Sequence, residues 1–318
     1  MAEERVGLKV LFWGTPDFGL SSLETMRAAG HEIVGVVTNP DRPAGRGRRL
    51  ASSPVKTWAL EAGVTVLQPE RPIGEDFMSA LRTLDPDVSV VAAYGQILRE
   101  DVLALPRYGS INVHASALPV LRGAAPVNWA IIRGYAETGV SIMRMVLALD
   151  AGPVFAISRV PIDGETTAGG LYDTLANLGA AALVPVLGDL AAGRAVEVPQ
   201  DDALATYAPK MDRETARIDW SLSAMDVSRW VRGCDPWPGG WTTLDGEPLQ
   251  CFAPRVVVDD LGDPGVVPGT IVTAQQTLHI ATGDGPIAID EVRPAGKRRM
   301  ASADWLRGRR ELVGVRLV

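Results

Sequence analysis

Gly109-Ser110-Ile111-Asn112-Val113-His114-Ala115-Ser116 is an apolar run interrupted by polar side chains at alternate places. Residues 109–114 read as a buried strand, and alternate residues of a strand share a face. Asn112 and His114 therefore project together near the strand's carboxyl end. The chain before this run alternates strand with helix. Residues 8–13 are strand-like, Thr15-Pro16 caps and starts a helix, and Gly30 closes it. Residues 32–38, 64–67 and 87–93 read as further strands, with helices opening at Ser53-Pro54 and spanning 77–84. This alternation predicts an α/β fold: a doubly wound, mostly parallel, Rossmann-like sheet covered on both faces. Ligands of such sheets bind beyond the strands' carboxyl ends. Asn112 and His114 fall there, and Leu149-Asp150-Ala151-Gly152-Pro153 is expected to end a second apolar strand beside them.

A fixed amide donor, a group that titrates near neutrality and an ionised carboxylate are the parts of an acyl-transfer site. Each has a plainer reading alone: a satisfied half-buried histidine, an asparagine serving nearby backbone, an aspartate in a turn. The next stretch, Ser116–Pro126, is rich in small residues and proline. It suits a ligand wall with backbone groups on display better than it suits a core. No Ser or Cys nucleophile is evident beside the three residues, which points to direct transfer between two bound substrates. Gly14-Thr15-Pro16-Asp17-Phe18-Gly19 stands where a dinucleotide fingerprint would sit. It lacks the middle glycine and Pro16 interrupts it, so a tight strand-to-helix turn is the better reading.

A length of 318 residues exceeds one comfortable core and predicts two domains. Residues 1–190 form the first, with 167–190 a long closing helix. Residues 191–208 lose periodicity and read as a linker. Residues 209–318 carry short β-like runs punctuated at Gly239-Gly240, Asp245-Gly246, 262–265 and 283–285, which predicts a smaller, OB-like β-barrel domain. The two cysteines, Cys234 and Cys251, have no metal-ligand spacing and fit a reducing cytoplasm. The acidic start Met1–Arg5 lacks the features of a signal peptide. No apolar run is expected to approach the roughly 20 residues that span a bilayer, so no membrane partner is expected. The net charge of −7 argues against indiscriminate nucleic-acid binding. Yet Arg42, Arg46, Arg48 and Arg49 crowd one segment, and Lys297, Arg298, Arg299, Arg307, Arg309 and Arg310 crowd another. These clusters are either solvated loops or the docking points of a polyanion.

Residues 111–116 with Leu118-Pro119, then Arg122-Gly123-Ala124-Ala125-Pro126 and Leu149-Asp150-Ala151-Gly152, resemble the signature of the folate-dependent formyltransferases. Further stretches resemble the branch acting on charged initiator tRNA: residues 14–18, 40–47, 53–56, 207–210, 218–220, 236–239 and 294–297. Together they span essentially the whole chain. The resemblance implies formyl transfer from 10-formyltetrahydrofolate to the α-amino group of methionyl initiator tRNA, without a metal. It also implies catalytic roles for Asn112, His114 and Asp150. Folate would bind against Gln96, Ile97 and Leu98 together with Ser116, Ala117, Leu118 and Pro119. For Ile97 and Leu98, simple packing beneath the next helix is the alternative. The tRNA would meet Arg42, Arg46, Arg48 and Arg49 on one domain, and Lys210, Lys297, Arg298 and Arg299 on the other. Ala117, Val146 and Ala148 depart from the family pattern and bear on the folate wall.

The chemistry fits these residues. An α-amino group has a reference pKa of about 7.7–8.0, so much of it is protonated at neutral pH and cannot attack. His114 can act as the base, Asp150 favours the imidazolium and holds the ring, and Asn112 donates to the developing oxyanion. The alternatives are a relative acting on a nucleotide sugar or purine intermediate, and a non-catalytic RNA-binding protein on the same scaffold. A monomer without an obligate protein partner is the default expectation.

Overall fold

The computed structural model describes residues 7–44, 49–257, 265–309 and 311–318. In chain order, the elements begin with β1 (Lys9–Gly14), α1 (Leu20–Ala28), β2 (Glu32–Val37), β3 (Arg42–Ala44) and β4 (Arg49–Ala51). Next come α2 (Pro54–Glu61), β5 (Val66–Leu67), α3 (Glu75–Leu84), β6 (Val88–Ala92), α4 (Glu100–Leu103), β7 (Ser110–His114) and β8 (Arg122–Gly123). They continue with α5 (Pro126–Ile132), β9 (Glu137–Arg144), β10 (Val154–Pro161), α6 (Ala168–Ala191) and β11 (Tyr207–Ala208). The last are α7 (Ala224–Gly233), β12 (Trp241–Leu244), β13 (Glu247–Val256), β14 (Ile271–Ala274), β15 (Leu278–Ala281), β16 (Pro286–Pro294), β17 (Met300–Ala301) and α8 (Ser302–Leu306).

The chain divides into two compact units. The first holds Met1–Pro126, Thr138–Val160 and Tyr172–Ala208; the second holds Val127–Glu137, Pro161–Leu171 and Pro209–Val318. Residues 191–208, read from sequence as a linker, thus belong to the first unit, where Val198 bridges Val154 and β11 pairs with β8.

The first unit is built on a seven-stranded sheet in the order β10-β9-β7-β6-β1-β2-β5. The strands from β7 to β5 run parallel, and β9 is antiparallel to β7. This is the mostly parallel, doubly wound sheet that the alternation predicts. Its central strands are covered on both faces, so they read as unbroken apolar runs: all five residues of β6 are buried, as are Val10, Leu11, Phe12 and Trp13 of β1. Each large side chain so buried contributes roughly 1.5–3 kcal/mol. Local chemistry places the helix starts. Ser53 Oγ accepts from the Lys56 backbone N–H at 3.1 Å, and Pro54 occupies the first turn of α2.

α6 begins and ends within a residue of its expected limits, but it corrects one expectation. By length and composition it is long and apolar enough to cross a membrane. In this fold it serves as a sheet-covering helix, with Leu175, Ala180, Leu183 and Leu187 buried. The small Gly179 lies against Val113 and Val140, where a Cβ would collide with the Val113 side chain.

The second unit contains an antiparallel sheet in the order β12-β13-β16-β15-β14, with β17 added to β16. Its core gathers Trp220, Val227, Cys251, Ile280, Ile289 and Trp305, among others. Short strands separated by Gly-rich turns give this curled sheet, in line with the expected small β-barrel class.

Candidate active site

β7 lies between β6 and β9, with Asn112 opposite Met143 and His114 opposite Ser141. Asn112 and His114 share one face of the strand by its alternation. Asn112 is half-buried, and its carboxamide makes no hydrogen bond among the described residues. His114 is buried. Its Nε2 lies 3.0 Å from the Leu121 carbonyl oxygen, which can only accept, so Nε2 carries a hydrogen. Nδ1 then faces Oδ2 of Asp150 at 3.7 Å.

Asp150 does not end a strand as the sequence reading expects. β9 stops at Arg144, and Asp150 occupies the connection to β10 with a left-handed backbone, φ 48°. The apolar residues 146–149 that suggested a strand are instead exposed: Leu147 is 64% and Leu149 61% accessible. The turn is fixed from several sides. Asp150 Oδ2 accepts from the Gly123 backbone N–H at 2.8 Å. The Gln200 carboxamide donates to the carbonyls of Asp150 and Gly152, at 2.8 and 2.7 Å. Gln200 Oε1 in turn accepts from Nε and Nη2 of Arg122, at 3.1 and 2.8 Å. Arg122 is buried and closes the set on Asp202 at 2.7 Å. Two glycines make these approaches possible. Gly123 has φ 116°, and a Cβ there would sit 2.7 Å from the Ala208 carbonyl oxygen; a Cβ on Gly152 would run into the Arg144 carbonyl. Gln200 went unnoticed in the sequence because nothing periodic surrounds it.

The loop 116–119 is more inward than a displayed wall. Ser116, Ala117 and Leu118 are buried. Ser116 Oγ donates to the Val120 carbonyl, Ser141 Oγ donates to the Ser116 carbonyl, and the Leu118 N–H donates to Ser141 Oγ. The Leu118-Pro119 peptide is cis. Leu98 packs in a core cluster with Trp13, Tyr94 and the edge of Met145, whereas Ile97 beside it is 86% exposed. Burial under neighbouring elements therefore describes Leu98 and not Ile97.

Gln96 joins a polar network at the ends of the parallel strands. Its side chain donates to Asn39 Oδ1 at 2.6 Å, and Asn39 Nδ2 donates to Thr15 Oγ1 and the Tyr94 carbonyl, each at 2.9 Å. Gln68 donates to the Asn39 carbonyl and to Asp41, and Lys56 pairs with Asp41 at 2.6 Å. Hydrogen bonds from Lys56 and then Gln68 hold the Asp41 carboxyl below its ordinary value.

Asp41 leads into the arginine segment. Its flanks pair as an antiparallel ribbon, with Arg42 opposite Ala51 and the Arg42 side chain exposed. Arg49 lies in β4; Arg46 and Arg48 lie outside the described residues. In the second unit, Lys210, Lys297 and Arg298 are exposed and have no ion-pair partner among the described residues. Arg299 differs: it pairs with Asp235 at 2.7 Å and Glu291 at 2.5 Å and lies 4.2 Å over the Phe252 ring. Among the described residues, no group of three His, Cys, Asp or Glu side chains is arranged to hold a metal.

Comparison with known proteins identifies the family. A profile described as formyl transferase matches residues 8–187, and one described as formyl transferase, C-terminal domain, matches residues 210–310. The chain belongs to the formyl transferase family. Among curated formyl transferases, it is 42% identical to a methionyl-tRNA formyltransferase of Lachnospira eligens over 313 residues, 98% of this chain and 99% of that protein. Solved structures share the fold at low identity. HypX from Aquifex aeolicus in complex with tetrahydrofolic acid matches with TM-score 0.66 and 19% identity, covering 94% of this formyl transferase and 47% of HypX. This chain thus spans about half the length of HypX. A methionyl-tRNA formyltransferase from Clostridium thermocellum matches with TM-score 0.55 and 12% identity, over 79% of this chain and 94% of its own.

Proposed function

We propose that this formyl transferase moves the formyl group of 10-formyltetrahydrofolate to the α-amino group of methionyl initiator tRNA. The observation that carries the reading is the approach of Asp150 to His114, with Asn112 on the same strand face, in a chain that matches a methionyl-tRNA formyltransferase over nearly its full length. Tetrahydrofolic acid in the HypX structure and the formyl transferase profile support the donor class.

The exposed apolar side chains fit a flat heterocycle, which needs apolar walls and a few polar partners. Ile97, Val146, Leu147 and Leu149 are exposed, and Leu98 and Met145 belong to one cluster beneath. Gln96 supplies an amide next to Ile97 in the chain. The bound donor supplies an electrophilic formyl carbon. The residues of this chain do the rest. As the amine nitrogen bonds to the formyl carbon, His114 keeps Nε2–H on the Leu121 carbonyl and takes the amine's proton at Nδ1, where the Asp150 carboxylate balances the charge; the proton then passes to N10 of the folate as the bond from the formyl carbon to N10 breaks. Asn112 donates its amide to the oxygen that gains charge. Its carboxamide is not engaged elsewhere among the described residues, so it is available for that bond. Arg42 and the cations Lys210, Lys297 and Arg298 would engage the tRNA backbone.

One assay tests the reading. The protein is incubated with formyl-folate and, in turn, methionyl initiator tRNA, charged elongator tRNA and a nucleotide-linked amino sugar, and formyl transfer is followed. The expected result is transfer to the initiator tRNA with strong preference. Transfer to the sugar alone would replace the proposed substrate, and no transfer by the folded protein would sink the catalytic reading.

A further inference from the structure

The catalytic pair is anchored by residues 121–123, and those in turn are strapped by a segment distant in sequence. His114 Nε2 bonds the Leu121 carbonyl, and Asp150 Oδ2 bonds the Gly123 N–H. The strap is residues 198–208. Thr206 takes the Leu121 N–H on Oγ1 at 2.9 Å and the Arg122 N–H on its carbonyl at 2.8 Å. From the strap, the Gln200 side chain reaches the Asp150 turn itself. Its two amide hydrogens go to the Asp150 and Gly152 carbonyls, and its oxygen is fixed by two donors from buried Arg122.

Both amide hydrogens and both acceptor directions of the Gln200 head group are thereby occupied, and its orientation is set. The amide cannot be flipped: a reversed carboxamide would aim its oxygen at two carbonyls and its N–H groups at a guanidinium, like against like. The residue it serves has a left-handed backbone, φ 48°, which is uncommon outside glycine. A turn of that kind persists where surrounding bonds over-determine it. With the two carbonyls released, the turn keeps the Gly123 N–H bond to Asp150 Oδ2 and the Ala151 N–H bond to the Ala148 carbonyl, but it loses both bonds that fix its own carbonyls, and the aim of the carboxylate at Nδ1 of His114 loosens.

We infer that Gln200, held by Arg122, is a positioning residue that aims the Asp150 carboxylate at His114. The inference rests on the formyl-transfer reading above, because it assigns Gln200 its role through Asp150. Gln200 touches no reacting atom. It acts on kcat by fixing the carboxylate, since a displacement of about 1 Å in a catalytic group can cost on the order of 100-fold.

Two variants test it, each in the wild-type and the Asp150→Asn background. Gln200→Leu removes every hydrogen bond of the head group. Gln200→Glu keeps an acceptor for Arg122 but replaces both donors by lone pairs. Wild-type transfer to methionyl initiator tRNA is measured first; its absence would refute the function itself and not this assignment. The expected outcome is a fall in kcat of about 10–100-fold for both variants, with KM for formyl-folate and for charged tRNA changed less than about threefold. In the Asp150→Asn background either substitution should cost less than about threefold further, because the group being aimed is already gone. Wild-type kcat in both variants would overturn the inference. So would equal losses in the two backgrounds, a change confined to KM, or failure of both variants to fold by circular dichroism, since each would make Gln200 a general structural link.

Discussion

Asn112 and His114 sit two places apart on one strand, and their different surroundings assign them different work. Asn112 cannot titrate and is unengaged among the described residues, so its removal should be felt at the transition state alone. Asn112→Ala is expected to lower kcat by about 10²–10³, the cost of one oxyanion donor, with charged-tRNA affinity within about twofold of wild type in a filter-binding assay. A second histidine shows what burial does without catalysis. His31 Nδ1 accepts the Leu8 N–H at 3.2 Å, and desolvation pushes its pKa below the ordinary 6.5. The unfolded chain therefore takes up a proton near pH 6.5 that the folded chain refuses. Stability from this group is complete above pH 6.5 and is lost as the pH falls through the lower, folded value. His31→Asn keeps an acceptor and removes the titration. Its urea midpoint should decline less than that of wild type between pH 7 and 5, and parallel declines would refute the assignment.

At the scale of elements, the site is a strand end plus a turn, joined by close backbone approaches. The parallel strands were legible because their runs are apolar on both faces, and the period of two placed Asn112 beside His114. The Asp150 turn was not. Residues 146–149 are largely apolar and read as a strand, but they stay exposed in the structure, and the chain turns instead. Gly152 permits that turn to pass the Arg144 carbonyl. Gly152→Ala should cost about 1–3 kcal/mol in a denaturant titration, as overpacking does, and kcat should fall with it because Asp150 is two residues away. A variant with unchanged stability and turnover would show that the turn is adjustable. The strap carrying Gln200 was equally hidden. Gly193, Pro199, Asp201 and Asp202 break any period, and its bonds reach Asp150 and Arg122 across 50 and 78 residues.

At the scale of the molecule, the work of each charge depends on its surroundings as much as on sequence. The run Lys297-Arg298-Arg299 looks uniform and all three are exposed, yet Arg299 is engaged by Asp235, Glu291 and Phe252 while its two neighbours have no ion-pair partner among the described residues. Replacing Lys297 and Arg298 by Ala should weaken tRNA binding and reduce the salt slope, log K against log salt, by about 1 for each phosphate no longer neutralised. Arg299→Met should instead lower the melting temperature, because it strands the buried Asp235 carboxylate. The reverse pattern, a salt-slope change for Arg299 alone, would exchange their roles. Cys234 and Cys251 are both fully buried, and burial pushes each thiol up to about 12. Neither should react with a thiol reagent at pH 8 in the native protein, and both should react in denaturant; native labelling at either would contradict the packing of the second unit.

The sequence by itself determined the parallel sheet, the antiparallel unit after it and the pairing of Asn112 with His114. Those features follow from local periodicity, in which each residue's neighbours along the chain decide its face. Tertiary structure alone decided that Asp150 sits in a left-handed turn, that Ile97 is exposed while Leu98 is buried, and that Gln200 reaches back to the Asp150 carbonyls. Such facts depend on which distant backbone groups must be satisfied once water is excluded, and no local pattern records that choice.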